Sequence, residues 1–155
     1  MAIQSAVAHD NRAERPSLTL TRRLRAQPEK VYAAWSEPEN LVKWFGPASA
    51  KVGTVRADLD VRVGGRYPIQ FENGDGEHFE VGGVYREVVP NERLQFTWAW
   101  HSTPERESLV TISLRSESGG TLLVFHHEQF FDETARDNHA RGWNELFAKL
   151  ENFVA

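Results

Sequence analysis

The repeat period of the apolar residues changes once along this chain, and that change constrains the fold more than any other feature of the sequence. Between Ala50 and Phe130, apolar and polar residues alternate, interrupted by turn signals such as Asn73-Gly74-Asp75-Gly76. After Phe131 the apolar residues recur at helical spacing. One stripe there contains His139, Trp143, Leu146, Phe147, Leu150 and Phe153. We therefore predict an antiparallel sheet followed by one long amphipathic helix, whose apolar stripe packs on the concave face of the sheet.

The segment before this alternation predicts one strand and two short helices. Residues 18–25 alternate, with Leu18, Leu20, Arg22 and Leu24 on one face. Pro28 and Pro38 each stand where a helix favours its first residue. The predicted fold class is α+β, in which a curved antiparallel sheet wraps around a long C-terminal helix, with two short helices after the first strand. We expect residues 1–16 to form a flexible tail and residues 17–155 a single domain.

Composition and charge exclude several classes of protein. The chain has 155 residues, no cysteine and a net charge of −4. Disulfides and thiolate chemistry are therefore ruled out, and no basic face is offered to nucleic acid. No apolar run approaches the roughly 20 residues of a membrane helix, and the first 15 residues lack the apolar core of a signal peptide. We expect a cytoplasmic protein, monomer or homodimer, that binds neither nucleic acid nor membrane.

Aromatic residues on the inward faces of the strands and of the final helix are the strongest candidates for a binding site. Rings that face one interior can form the wall of an apolar pocket, but simple core packing accounts for the same pattern, and both interpretations stay open. Gly142 costs a helix about 1 kcal/mol relative to alanine, which a close approach by the sheet or by a ligand would explain. The aromatic candidates for ligand binding are Tyr67, Phe71, Phe96, Trp98, Trp100, Trp143 and Phe147.

Histidines beside acids suggest a metal site, but their spacing does not favour one. His126 and His127 are adjacent on a strand and therefore point to opposite faces. The pair His78 and Glu80 supplies only two of the three or four ligands that a metal normally needs. His127 is in phase with the apolar residues of its strand and is predicted to point inward. We interpret it as a hydrogen-bonded core histidine or a polar contact for a ligand, and we expect neither a metal nor a cofactor.

Arg22 is in phase with apolar neighbours on the first strand, so its guanidinium needs a partner. One interpretation is a structural ion pair with an interior acid, Glu128 or Asp60. The other is the carboxylate of a bound ligand, which Arg22 would orient through two hydrogen bonds. Arg22 is therefore also a candidate ligand-binding residue.

Two glycine pairs are assigned structural roles. Gly64-Gly65 follows Asp60 and Arg62 and predicts a bulge or tight turn. Gly82-Gly83 interrupts a strand and predicts a bulge that bends the sheet.

A series of short motifs resembles a known family. In chain order these are Trp44-Phe45-Gly46-Pro47, Asp60-Val-Arg-Val-Gly-Gly65, Gly83-Val84, Thr97-Trp98, His127 and Gly142-Trp143. Together they resemble the homologues of the heat-shock-protein-90 ATPase activator, a branch of the START and birch-pollen-allergen-like (SRPBCC) superfamily. The resemblance spans nearly the whole chain, from Leu18 to Val154. It implies a helix-grip fold with a cavity between sheet and helix.

The resemblance implies several functions, and fold alone does not choose among them. Relatives with this fold bind lipids, hormones and polyketides, some are cyclases, and the family's eponymous member is a co-chaperone with an additional N-terminal domain for which this chain has no room. We expect, first, binding of a small hydrophobic or amphipathic ligand between sheet and helix. The alternatives are a co-chaperone or regulatory interaction module, with a chaperone as partner, and a cyclase or hydrolase-like enzyme that uses His127. The sequence offers no clear nucleophile and favours binding over catalysis.

Overall fold

A computed structural model describes residues 14–46 and 50–155, so most of the tail expected at residues 1–16 lies outside the described residues. The described part is an eight-stranded antiparallel sheet with two short helices after its first strand and a 22-residue helix at the C-terminal end. The predicted α+β fold class is therefore confirmed. The strands are β1 Leu18–Leu24, β2 Arg56–Ala57, β3 Ile69–Glu72, β4 His78–Gly82, β5 Tyr85–Val89, β6 Arg93–Trp100, β7 Ser108–Glu117 and β8 Gly120–Glu128, and the helices are α1 Pro28–Ser36, α2 Pro38–Trp44 and α3 Glu133–Val154.

The sheet is an antiparallel meander in which the first strand forms one edge, beside the last strand. Its order is β1-β8-β7-β6-β4-β3-β2, and β5 also pairs with β6. Strand β1 lies beside β8, with Leu18 opposite His127 and Leu24 opposite Thr121. The first and last strands are therefore neighbours, and the chain leaving β8 enters α3 on the side where β1 begins.

The glycine pair Gly82-Gly83 lies where one long bent strand divides into β4 and β5. Gly82 pairs with Ala99 and Tyr85 with Phe96, so both halves pair with β6. The register shift falls between Tyr85 and Glu87, not at the glycines, and the predicted position of the bulge was wrong by a few residues. The physical need for glycine is instead a close approach, because a Cβ on Gly83 would lie 2.0 Å from the carbonyl oxygen of Thr97.

Local signals define the ends of the helices. Pro28 and Pro38 occupy the first turns of α1 and α2, as predicted. The Asp132 carboxylate caps α3 by accepting a hydrogen bond of 2.8 Å from the backbone N–H of Ala135. In the described part of the chain, no helix is both long and apolar enough to cross a membrane.

The predicted inward faces form one core between the sheet and α3. Leu94, Phe96 and Trp98 of β6 are buried, as are Val110, Ile112 and Leu114, which alternate along β7. On α3 the buried stripe consists of Trp143, Leu146, Phe147, Leu150 and Val154, whereas His139 and Phe153 are partly exposed. The period-two and helical patterns therefore identified the core correctly, with small errors at the ends of the helix.

The side chain of Arg22 on β1 contacts three residues of α3. Its guanidinium donates to the side-chain oxygen of Asn144 at 2.8 Å and pairs with Glu151 at 3.3 Å, both on α3. It also lies over the Phe147 ring, 5.6 Å from the centroid. The predicted partners Glu128 and Asp60 were wrong, because the in-phase position directs Arg22 to the helix that covers the sheet.

We expect Arg22→Ala to lower the free energy of unfolding by about 1–2 kcal/mol, because it removes a charge-assisted hydrogen bond and a cation–π contact. Its neighbour Arg23 is the matched control. Arg23 pairs with Glu117 at 3.1 Å, but its side chain is 70% exposed, so Arg23→Ala should cost less than about 0.5 kcal/mol. Urea unfolding of both variants measures the difference, and equal losses would contradict the role given to Arg22.

Candidate functional site

An apolar groove of about 200 Å³ opens between β6 and the N-terminal half of α3. Five aromatic rings dominate its wall, and the polar residues in the lining are Asn138 and His139. The lining residues are Phe45, Phe71, Trp98, Trp100, Asn138, His139, Gly142, Trp143 and Leu146. Among the residues that the structure describes, no Asp, Glu, Lys or Arg side chain contributes to it. A concave surface that is mainly apolar and carries a few polar groups is typical of small-molecule sites.

Strand β6 and helix α3 position most of this groove. Trp98 and Trp100 stand two residues apart on one face of β6, with ring centroids 5.8 Å apart in an edge-to-face arrangement. Trp143 of α3 packs against Trp98 at 5.0 Å. Phe45 enters from the end of α2, where the Lys149 ammonium of α3 donates to the carbonyl oxygen of the adjacent Gly46 at 2.7 Å.

The structure brings four of the nine predicted ligand-binding residues to the groove: Phe71, Trp98, Trp100 and Trp143. Tyr67 and Phe96 instead border a void of about 20 Å³ deeper in the core, roughly the space of a single water molecule. Phe147 and His127 are fully buried, and Arg22 pairs with Glu151 of α3, away from the groove. The interior between sheet and helix is thus largely filled with rings, and the open space lies at its rim.

His127 is the centre of a buried hydrogen-bond chain. The indole N–H of Trp143 donates to Nδ1 of His127 at 3.1 Å, so the ring proton of the neutral imidazole must be on Nε2. Nε2 then donates to the Ser108 hydroxyl at 2.8 Å, and that hydroxyl donates to the carbonyl oxygen of Trp98 at 3.1 Å. His127 is therefore the hydrogen-bonded core histidine that the sequence suggested.

His139 holds the second set of indole groups. Its Nδ1 donates to the carbonyl oxygen of Ala135 at 2.7 Å. Its Nε2 accepts from the indole N–H of Trp98 at 3.2 Å and from that of Trp100 at 3.1 Å. Two tryptophans of β6 are thereby joined to the first turns of α3 through one imidazole nitrogen.

Both imidazoles are held in the neutral form. Burial lowers the pKa of His127 well below its usual value of 6.5, and the nearby His139 and His126 lower it further. Burial also lowers the pKa of His139, although its hydrogen bond to Ala135 acts in the opposite direction. Neutral rings are what the indole donors require, because a protonated imidazole nitrogen cannot accept.

Five residues of the groove were not among the sequence candidates: Phe45, Asn138, His139, Gly142 and Leu146. His139 and Leu146 were assigned to the apolar stripe of the helix, but only as packing residues. At Gly142 we expected a close approach by the sheet or by a ligand. Instead, a Cβ there would meet no atom within 4 Å, because the residue faces open space. A glycine that costs helix stability without a steric reason was the signal that could have identified this part of the groove.

The predicted faces of His126 and His127 are confirmed. His126 points outward, where its Nδ1 lies 2.8 Å from the Thr19 hydroxyl and its Nε2 is 3.7 Å from Glu128. Among residues 14–46 and 50–155, no group of three or more His, Asp or Glu side chains is arranged to hold a metal ion.

A curved sheet gripping a C-terminal helix, with an aromatic groove at the rim, defines a helix-grip protein of the SRPBCC fold. The family model described as "Activator of Hsp90 ATPase homolog 1-like protein" matches residues 25–155. The chain belongs to this family, as its motifs indicated. Proteins of this fold commonly bind hydrophobic ligands or act as regulators.

Solved structures resemble the chain over most of its length. Protein CV1439 from Chromobacterium violaceum is 31% identical, with a TM-score of 0.81, over 89% of this chain and 96% of that one. An uncharacterised protein from Rhizobium leguminosarum is 30% identical, with a TM-score of 0.71 and coverage of 90% and 93%. The AHSA1-like protein from Aeromonas hydrophila shares the fold at 22% identity and a TM-score of 0.73, over 90% and 92% of the two chains. No curated protein matches the sequence.

We expect the free energy of unfolding to fall as the pH drops below about 6.5. There the unfolded chain takes up protons at His127 and His139, whereas the folded chain, with lowered pKa values at both, does not. Each of the two histidines contributes a slope of up to about 1.4 kcal/mol per pH unit. Urea unfolding between pH 7.5 and 5 measures the slope.

His139→Gln tests the assignment of this slope, because an amide oxygen can accept from both indoles but does not titrate. The variant should show a shallower pH dependence than the wild type. His101→Gln, in the exposed turn after β6, controls for removal of a histidine outside the core. A slope that His139→Gln leaves unchanged would contradict the contribution of His139.

Proposed function

We propose that this protein binds a small, largely apolar molecule in the groove between β6 and α3. The observation that carries the proposal is the groove itself, an open space of about 200 Å³ walled by aromatic rings. At roughly 30 Å³ per water molecule, this space holds about six or seven waters, which suits a compact ring system better than a long lipid chain.

Burial of apolar surface would supply most of the affinity. Phe71, Trp98 and Trp143 approach from the sheet and the helix, so a flat ring inserted between them contacts aromatic faces and edges on several sides. Each Å² of apolar surface removed from water contributes about 25 cal/mol. The scarcity of polar groups in the lining favours an occupant with few polar atoms of its own.

Catalysis that uses His127 is less well supported. The hydrogen bond between Ser108 and His127 runs in the wrong direction for a nucleophile and its base. A base would accept the serine proton through Nε2. Here Trp143 occupies the lone pair of Nδ1, which leaves the proton on Nε2 and makes His127 the donor to Ser108. The lowered pKa of His127 keeps the ring neutral but does not reverse this direction.

The interaction-module alternative stays a prediction. The large apolar side chains that are exposed in the described residues are Val52, Val63 and Phe131. They lie in three separate loops, before β2, before β3 and after β8.

Gly142→Leu should fill the groove and weaken the binding of N-phenyl-1-naphthylamine, an uncharged fluorescent probe, by at least about tenfold. The added side chain starts where no atom lies within 4 Å, and leucine is a better helix former than glycine, so the variant should fold as stably as the wild type. Fluorescence titration gives both Kd values.

Ala148→Leu is the matched control, since it adds a large side chain to the exposed face of the same helix. It should leave probe binding within about twofold of the wild type. Equal binding by Gly142→Leu and wild type, or no binding by the wild type to this probe and to other one- and two-ring aromatics, would overturn the proposed site.

A further inference from the structure

Two indole donors converge on a single acceptor at one end of the groove. The indole nitrogens of Trp98 and Trp100 both lie 3.1–3.2 Å from Nε2 of His139. These distances match the 3.1 Å of the unshared bond between the Trp143 indole and His127, so both indoles are directed at the same nitrogen. Nε2 of a neutral imidazole has one lone pair, in the ring plane, and His139 cannot offer a second one because Nδ1 already donates to Ala135. One donor is therefore in excess of what the nitrogen can accept well.

A carbonyl or carboxylate oxygen fits this pair of donors better than the imidazole does. Such an oxygen has two lone pairs and can accept one hydrogen bond from each indole. If the oxygen is ionised, each bond is shorter and roughly twice as strong as a neutral one. The two N–H groups thus have the arrangement of a clamp for one oxygen atom, which His139 fills in the described structure.

His139 also stands between the groove and a second cavity. That cavity has a volume of about 150 Å³ and shares four lining residues with the groove, Trp98, Trp100, Asn138 and His139. Phe131 and Arg106 also line this cavity, and the guanidinium carbon of Arg106 lies 4.0 Å from the centre of the Phe131 ring. A rotation of the His139 side chain would release the two indole N–H groups and join the two spaces, and Arg106 would contribute a cation to the joined space.

We propose that the occupant of the groove is an aromatic carboxylate, which displaces His139 from the indoles of Trp98 and Trp100. The ring system lies among the aromatic residues of the groove. One carboxylate oxygen accepts from both indole N–H groups, and the positive charge of Arg106 favours an anion at this end. This inference rests on the proposed binding function and adds the chemical class of the ligand.

Two probes of the same shape test the acceptor requirement. These are 2-naphthoate, which carries the carboxylate, and 2-isopropylnaphthalene, which replaces it with a branched hydrocarbon. We expect 2-naphthoate to bind at least about tenfold more tightly, and Trp100→Phe, which keeps a ring but removes one donor, to weaken its binding about tenfold. The same variant removes apolar contact from both probes but a hydrogen bond only from 2-naphthoate, so it should weaken binding of 2-isopropylnaphthalene clearly less. Fluorescence titration and calorimetry give the Kd values.

Indole N–H signals in a ¹H–¹⁵N spectrum show where the oxygen binds. The chain has five tryptophans, and 2-naphthoate should shift the indole signals of Trp98 and Trp100. The Trp44 indole, which donates to the carbonyl oxygen of Ala34 at 2.9 Å, is the internal control and should not move. His139→Ala, which removes the competing acceptor, should strengthen 2-naphthoate binding.

The outcomes separate the two proposals. Equal affinity for the two probes, with Trp100→Phe affecting both alike, would overturn the carboxylate inference and leave the apolar groove intact. Binding of 2-isopropylnaphthalene alone would do the same. Failure of both probes and of N-phenyl-1-naphthylamine to bind would overturn the binding function together with the inference.

Discussion

Hydrogen bonds from three indoles to two neutral histidines join the sheet to its helix, and the rest of the structure depends on this link. Trp98 and Trp100 of β6 donate to His139 of α3, and Trp143 of α3 donates to His127 of β8. The donors and acceptors cross the interface in both directions. An indole buried in an apolar core without a partner would cost about 1–3 kcal/mol, so these contacts fix how α3 lies across the strands.

The same link explains why the open space lies at the rim rather than in the centre. Aromatic rings of the sheet and of α3 pack against each other in the centre, where the ring centroids of Phe125 and Trp143 are 4.5 Å apart. The void that remains deeper in the core has a volume of only about 20 Å³. Near the start of α3 the contacts are polar and made through one imidazole, and the residue one turn along is Gly142. With no Cβ on the helix at that point, the indoles of β6 face a groove instead of a packed neighbour.

The sequence predicted the architecture because hydrophobic periodicity is local. Alternation along β6 and β7 and the helical stripe of α3 each show which face is buried, and the inward position of His127 followed from its phase with Phe125. Contacts between elements depend on how α3 lies across the sheet. No local sequence pattern determines this orientation. For that reason Arg22 was matched with the wrong acids, and His139 was treated as part of a stripe although it is the acceptor for two indoles. The two-residue strand β2 is too short to leave a periodic signal.

A groove that shares residues with the sheet–helix link couples ligand binding to the stability of one end of α3. Release of His139 from Trp98 and Trp100 would free the first turns of the helix from β6, whereas the buried side chains of Phe147, Leu150 and Val154 keep the remaining turns packed on the core. The helix can therefore open locally at its N-terminal end without unfolding of the domain. A ligand that replaces His139 at the indoles would restore the lost hydrogen bonds, so that the opened form is stabilised only when the groove is occupied. Under the proposed function, recognition would therefore require no large cavity, because the first turns of α3 would move while its C-terminal half remains packed.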